Sequence, residues 1–232
     1  MTKTDADISL QQGHRERLRQ RFLEGHLVEY EIIELLLTYV IPRRDVRPLS
    51  RQLYKKYGNI YKLLSAPYES LIENPGVKEH TATFLKVIHK LMELDYKYTL
   101  SEMPIFYDRD KLERYCRLLV GGKTVEEFHV LYLDVKYRLL EDELHSSGTN
   151  NWTAVYIREI VKKALDLNAR HVLLLHNHLT PDTTFSTQDI LLTQDLQTAL
   201  EKLDIDLYDH FVVAENTLYS ARNMLLLKNT KN

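Results

Sequence analysis

The chain has 232 residues, of which 44% are hydrophobic and 28% are charged, so it can bury at least one full core. Its formal net charge of −2 excludes a global nucleic-acid-binding signature. A single cysteine, Cys116, excludes an intrachain disulfide and any zinc finger built on paired cysteines, so histidine and carboxylate groups would have to hold a transition metal. No stretch approaches the ~18 apolar residues that a membrane helix needs, and we expect a soluble, cytoplasmic protein without a membrane partner.

The first 103 residues are predicted to form a small all-α domain. They carry a net charge of +2, and their apolar residues recur at helical spacing. Pro42 ends the second predicted helix, because proline disfavours helical backbone at the residue before it. Asn74-Pro75-Gly76 separates the last two helices. The predicted helices cover residues 15–23, 32–37, 48–57, 60–74 and 78–96.

Residues 104–232 carry a net charge of −4 and are predicted to form a mixed α/β domain, with the domain boundary near residues 100–108. Residues 128–133 are a β-rich run, and residues 138–145 are expected to pair with it as a hairpin. A helix, a buried strand, a second helix and a second strand follow at residues 157–168, 171–175, 190–203 and 211–213. The predicted fold class of this domain is therefore α/β (α+β).

The most informative segment is His176-Asn177-His178, immediately after the buried strand. Side chains at positions i and i+2 of a strand point to the same side, so the two imidazoles can converge on one ion. Asp189 falls where the next helix begins, and its carboxylate can fold back toward the strand end. Two histidines and one carboxylate suit Zn²⁺ and leave a position for water. Ser186 and Asp189 also fit a helix N-cap pair, which is compatible with a metal site because a cap fixes the helix start that presents Asp189.

A resemblance to known families follows from these residues. His176-Asn177-His178 followed by Ser186-Thr187-Gln188-Asp189 resembles the His-x-His-Pro-x6-Ser-x-x-Asp signature of the JAB/MPN (JAMM) metalloproteases. Over nearly its whole length the chain resembles the bacterial RadC family (the UPF0758 group). This resemblance implies a small all-α domain followed by a JAB domain, whose cytidine-deaminase-like fold is a mixed sheet flanked by helices. The stretches that carry this resemblance include residues 14–19, 39–46, 131–134, 158–165 and 209–210.

The resemblance implies a zinc-dependent hydrolase that acts on a peptide or isopeptide bond of a protein or peptide substrate. His176, His178 and Asp189 would hold the Zn²⁺, which lowers the pKa of its bound water toward about 7. Glu126 would take the proton of that water and deliver it to the leaving amine. Glu127 is the alternative, because a register slip of one residue would exchange the two carboxylates. Ser186 would hydrogen-bond the developing oxyanion, against the alternative of a simple helix cap.

The chain departs from the family pattern in two places where the family uses glycine. The loop after His178, residues 179–185, lacks the family's glycine and has its proline at a different position, which puts substrate access in question. In the N-terminal domain the family has a helix–hairpin–helix-like element with a Gly-hydrophobic-Gly turn whose amides face phosphate. In the matching stretch, residues 72–78, Lys78 replaces the second glycine.

Two other functions compete with the hydrolase. The first is a nucleic-acid-associated role in repair or recombination, or a metal-dependent nuclease, with Arg43, Arg44 and Lys78 as candidate DNA contacts. The second is an inactive JAB scaffold that binds peptide ends. We also expect Trp152 to pack beneath the turn at Gly148-Thr149. The oligomeric state is unknown at this level.

Overall fold

We describe a computed structural model over residues 5–148, 156–180, 184–215 and 217–227, with side chains from residue 13 onward. The chain divides into two compact units, Met1–Lys90 and Leu91–Asn232. The division falls inside one long helix, α6 (Glu79–Glu102), whereas the predicted domain boundary, between residues 103 and 104, lies at the end of that helix.

The first unit consists of helices among the described residues. α1 (Asp5–Leu23), α2 (Glu29–Val40) and α3 (Arg47–Tyr57) are followed by α4 (Ile60–Ser65), α5 (Tyr68–Ile72) and the first part of α6. Its buried core is made of leucine and isoleucine side chains, including those of Leu18, Ile33, Leu37, Leu53, Leu63, Leu71 and Leu85.

One prediction in this unit is wrong, because residues 60–74 do not form a single helix. Ala66, the residue before Pro67, has an extended backbone with φ −56° and ψ 143°. Proline disfavours helical backbone at the preceding residue, so the helix ends there and α5 begins after it.

The second unit is built on a five-stranded sheet. Its strands are β1 (Glu127–Leu133), β2 (Leu139–Ser147), β3 (His171–Asn177), β4 (Asp206–Ala214) and β5 (Thr217–Ser220), in the order β2-β1-β3-β4-β5. β3 and β4 are parallel and the other neighbours are antiparallel, so the sheet is mixed, as predicted. The predicted hairpin is the β1–β2 pair.

Helices cover both faces of this sheet. On one face the side chains of Phe128, Val130 and Leu174 pack with α8 (Ile157–Asp166) and α9 (Thr187–Glu201). On the other face Leu131, Leu173 and their neighbours pack with α7 (Arg109–Val120), which follows a short 3₁₀ helix, Ile105–Tyr107. The alternation of side chains along each strand produces the two faces. No helix among the described residues has the length and apolarity to cross a membrane.

Candidate metal centre

The two histidines of the His-x-His segment lie at the end of β3. The strand is buried along its whole length, and its partners β1 and β4 fix it on both edges. The His178 amide continues this pairing by donating to the Val213 carbonyl at 2.9 Å. His176 is fully buried and His178 is half-buried, and their Nε2 atoms are 3.0 Å apart. Both rings therefore present the same nitrogen to one position.

Asp189 reaches the same position from the first turn of α9. Ser186 is the N-cap of this helix and forms a capping box with Asp189. The backbone amide and the hydroxyl of Ser186 donate to Asp189 Oδ2 at 2.8 and 2.7 Å. This leaves Oδ1 directed at the histidines, 3.6 Å from His176 Nε2.

These three side chains fit a metal ion. One ligand atom from each of His176, His178 and Asp189 lies within 4.8 Å of the other two. Asp189 Oδ1 is buried and accepts no hydrogen bond from the described residues. A buried carboxylate oxygen normally has a partner, and a cation is the partner that two neutral imidazoles and a carboxylate can share.

The pKa shifts favour the protonation states that ligands need. Burial, and then the proximity of His210, holds the pKa of His176 well below its ordinary value. Burial alone would raise the pKa of Asp189, but the nearby rings of His178 and His176, together with the two hydrogen bonds from Ser186, hold it below its ordinary value. A neutral imidazole and an ionised carboxylate are the forms that bind metals.

His210 of β4 belongs to this site, and sequence reasoning did not include it among the site residues. It is fully buried, and its Nε2 lies 2.8 Å from His176 Nδ1. Burial lowers the pKa of His210 to about 4. It is a hydrogen-bonded histidine within β4. The sequence around His210 does not identify His176 as its partner, because the contact depends on the register of β4 against β3.

The two candidate bases are adjacent at the start of β1: Glu127 is its first residue and Glu126 immediately precedes it. Glu127 is buried on the face away from the metal ligands, where its carboxylate pairs with Lys123 and His129, both at 3.1 Å. Glu126 is half-buried and has the same parity as Phe128, which is opposite His176 in the β1–β3 pairing. When the alternation of β1 is extended by one residue, Glu126 falls on the face of the candidate ligands.

Asn177, the residue between the two histidines, holds the segment that carries Glu126. Its side-chain amide donates to the Val125 carbonyl at 3.1 Å, and its side-chain oxygen accepts from the Glu127 amide at 2.8 Å. The side chain therefore bonds to the backbone on either side of Glu126. One residue of β3 therefore fixes the start of β1.

Several predicted features fall wholly or partly outside the described residues. Trp152 and Thr149 are not among them, nor are residues 181–183 of the loop after His178. Of the rest of that loop, Leu179 is exposed and Phe185 is buried against His176 and His210, with ring centroids 6.4 and 5.2 Å away.

The candidate DNA contacts of the first unit are exposed, and two nearby arginines are paired with acidic side chains. Arg43, Arg44 and Lys78 are all exposed, and the Arg44 guanidinium lies beside Gly76. The neighbouring arginines are held within the unit: Arg15 donates to the carbonyls of Thr38, Ile41 and Arg44, Arg21 pairs with Glu31, and Arg47 pairs with Asp45. Paired arginines contribute less to the attraction of phosphate than their number suggests.

Comparison with known proteins agrees with this fold and site. A sequence model of the RadC-like JAB domain matches residues 106–226, which defines the second unit as a JAB domain. The chain is 35% identical to the UPF0758 protein FN0909 of Fusobacterium nucleatum over 219 residues, 90% of this chain and 94% of that protein. It is 38% identical to the UPF0758 protein SPO0054 of Ruegeria pomeroyi over 212 residues, 90% and 95% of the two chains. The chain therefore belongs to the RadC family, as the sequence motifs predicted.

Proposed function

We propose that this protein is a zinc-dependent hydrolase that cleaves a peptide or isopeptide bond of a protein or peptide substrate. The observation that carries the proposal is the buried Asp189 Oδ1, which accepts no hydrogen bond from the residues that the structure describes and lies beside the Nε2 atoms of His176 and His178. Two imidazoles and one carboxylate are the ligand set of open, catalytic zinc sites, in which the fourth position holds water. When bound, Zn²⁺ would lower the pKa of that water toward about 7.

Glu126 is the general base of the proposed reaction. Its carboxylate accepts a proton from the attacking water and then donates it to the leaving amine. Two features support Glu126 over Glu127: the alternation of β1, which puts Glu126 on the ligand face when extended by one residue, and the Asn177 hydrogen bonds on both sides of it. The Glu127 carboxylate already forms an ion pair with Lys123 and contacts the His129 ring.

Ser186 is proposed to hydrogen-bond the oxyanion of the tetrahedral intermediate. Its hydroxyl proton is directed at Asp189 Oδ2, 2.7 Å away, while the Ser186 backbone amide donates to the same oxygen. Oδ2 would keep the backbone hydrogen bond if the hydroxyl turned toward substrate. The same side chain can therefore cap α9, orient Asp189 and serve the reaction.

The test is hydrolysis of two probe sets, fluorogenic peptides and peptides joined through a lysine isopeptide bond. The metal-free protein should be inactive, Zn²⁺ should restore cleavage, and Asp189→Ala should abolish it. Asp195→Asn, a change at an exposed position of the same helix, is the control and should leave cleavage intact. Stoichiometric Zn²⁺ without cleavage of either probe set would instead favour the scaffold that binds peptide ends. Cleavage that persists in Asp189→Ala would contradict the proposal.

A further inference from the structure

A chain of three hydrogen bonds joins two of the proposed ligands through side chains that do not contact the metal position. The Thr193 hydroxyl donates to the Asp189 carbonyl oxygen at 2.5 Å. The same Oγ1 lies 2.7 Å from His210 Nδ1, and His210 Nε2 lies 2.8 Å from His176 Nδ1. All four residues are buried, with exposed fractions of 0 or 1%.

Only one placement of protons satisfies this chain with neutral rings. A carbonyl oxygen can only accept, so the single hydroxyl proton of Thr193 goes to Asp189. The Thr193 oxygen must then accept from His210, which places the His210 proton on Nδ1. His210 Nε2 is left as an acceptor, so the neighbouring His176 Nδ1 carries a proton and donates it. A neutral imidazole has one ring proton, so His176 Nε2 keeps its lone pair.

We propose that Thr193 and His210 are positioning residues that fix His176 as its Nδ1-protonated tautomer, with the Nε2 lone pair directed at the metal position. Metal-bound histidines commonly donate their other ring N–H to a neighbour that fixes the tautomer. Here that neighbour is a second histidine, whose own tautomer is set by a hydroxyl anchored on the backbone of the third ligand. The inference rests on the proposed function, since it concerns the same metal centre.

The hydrogen-bonded chain from the Asp189 carbonyl through Thr193 and His210 to His176, called the relay below, also assigns a role to His178. The Nε2 atoms of His176 and His178 are 3.0 Å apart, so one of them must donate to the other in the metal-free protein. Because the relay makes His176 Nε2 the acceptor, His178 Nε2 carries the proton. Metal binding therefore requires a different tautomer only at His178, the ring that is partly exposed to solvent, because its proton must leave Nε2.

The direct test is the tautomer of each ring in the metal-free protein, measured from ¹⁵N shifts and long-range ¹H–¹⁵N correlations of the histidines. His210→Gln and Thr193→Val identify the signals of the relay. We expect His176 and His210 as Nδ1–H tautomers and His178 with a proton on Nε2. On addition of Zn²⁺ only the His178 ring should change its protonated nitrogen. A metal-free His176 protonated on Nε2 would overturn the inference.

A second test measures Zn²⁺ affinity against a chromophoric chelator. Thr193→Val removes the hydroxyl from a side chain of similar shape and should weaken Zn²⁺ binding about 10-fold or more, the range for changes beyond the direct ligands. Thr193→Ser should retain the wild-type affinity. Thr198 of the same helix is an exposed threonine with the same hydroxyl bond to the carbonyl four residues back, so Thr198→Val is the matched control and should change nothing.

The outcomes separate this inference from the proposed function. If Thr193→Val and Thr198→Val bind Zn²⁺ equally well, the relay is wrong although the zinc site stands. If the wild-type protein binds no Zn²⁺, the proposed function fails, and the relay's role in metal binding fails with it. Thermal unfolding of each variant shows whether a loss of affinity reflects the fold, because a merely structural role for Thr193 would lower the Tm without changing the His176 tautomer of the folded protein.

Discussion

Phe128 of β1 lies directly opposite His176 of β3, and the two rings stack with centroids 6.1 Å apart and planes at 18°. This pairing sets the register of β1 and β3 on the face of the sheet that carries the candidate ligands. Glu126 lies two residues before Phe128, and His178 lies two residues after His176. Because the two strands are antiparallel, continuing their register puts Glu126 opposite His178, so the proposed base lies toward the second candidate ligand. Glu127 falls on the other face for the same reason.

The first prediction follows from this register. Glu126→Gln should lower kcat about 100-fold or more, because it removes a general base without changing the shape of the site. Glu127→Gln is the matched control and should leave kcat within a few-fold, since its carboxylate faces Lys123 and His129. Zn²⁺ affinity should be unchanged in both variants. The reverse order of effects would show that the base is Glu127.

Asn177 yields a second prediction. Asn177→Ala removes two hydrogen bonds to the backbone that flanks Glu126, and a small displacement of a catalytic group is costly. We expect kcat to fall at least 10-fold while Zn²⁺ still binds, because Asn177 touches no ligand atom. Single-turnover cleavage together with a Zn²⁺ titration distinguishes this from a loss of the metal. Unchanged kcat would contradict a positioning role.

Ser186→Ala separates the three roles of that hydroxyl. Loss of the cap should lower the free energy of unfolding by about 1 kcal/mol. If the side chain also orients Asp189, Zn²⁺ affinity should fall. If it serves the oxyanion, kcat should fall further, about 100-fold, when the variant is saturated with Zn²⁺. Chemical denaturation, Zn²⁺ titration and saturated kinetics measure the three effects separately.

A fourth prediction concerns acid stability and lies away from the metal. Burial alone would raise the pKa of Asp142, but hydrogen bonds from Lys97 and Tyr115 hold it below the ordinary value of 3.8. A carboxyl group whose pKa is lowered by folding binds protons more readily in the unfolded chain, so its contribution is present above the ordinary pKa and is lost as pH falls through the lowered one. Asp142→Asn should therefore remove part of the pH dependence of unfolding below about pH 5. The free energy of unfolding is measured by chemical denaturation at a series of pH values. If it falls with pH equally steeply in the wild type and in Asp142→Asn, this assignment is contradicted.

The sequence predicts the elements whose signals are local. β1 is rich in β-forming residues and β3 contains the continuous apolar run 172–175. The His-x-His segment follows this run directly, so the two strands and the candidate ligands are predictable from the sequence. Helix α7 was missed although Leu112, Cys116 and Leu119 recur at helical spacing. β5 has only four residues, too few for a periodic signal.

The missed parts of the site are those that depend on contacts between distant segments. β4 begins at Asp206, whereas only residues 211–213 are predicted as a strand. The polar Asp209 and His210 interrupt the apolar pattern on which that prediction depends. Both polar residues are satisfied inside the fold: Asp209 accepts from Ser220 and Arg222, and His210 contacts His176 and Thr193. The proposed preference for Glu126 over Glu127 likewise depends on the register of β1, which no single stretch of sequence specifies.

The most direct measurement is zinc content combined with X-ray absorption at the zinc edge. The account predicts about one Zn²⁺ per chain, with two imidazole ligands, the remaining ligands oxygen and no sulfur, as in zinc sites built from two histidines and a carboxylate. Asp189→Ala should lose the metal, and Asp195→Asn should keep it. Protein without stoichiometric zinc after zinc loading, or zinc bound to the sulfur of Cys116, would contradict the account.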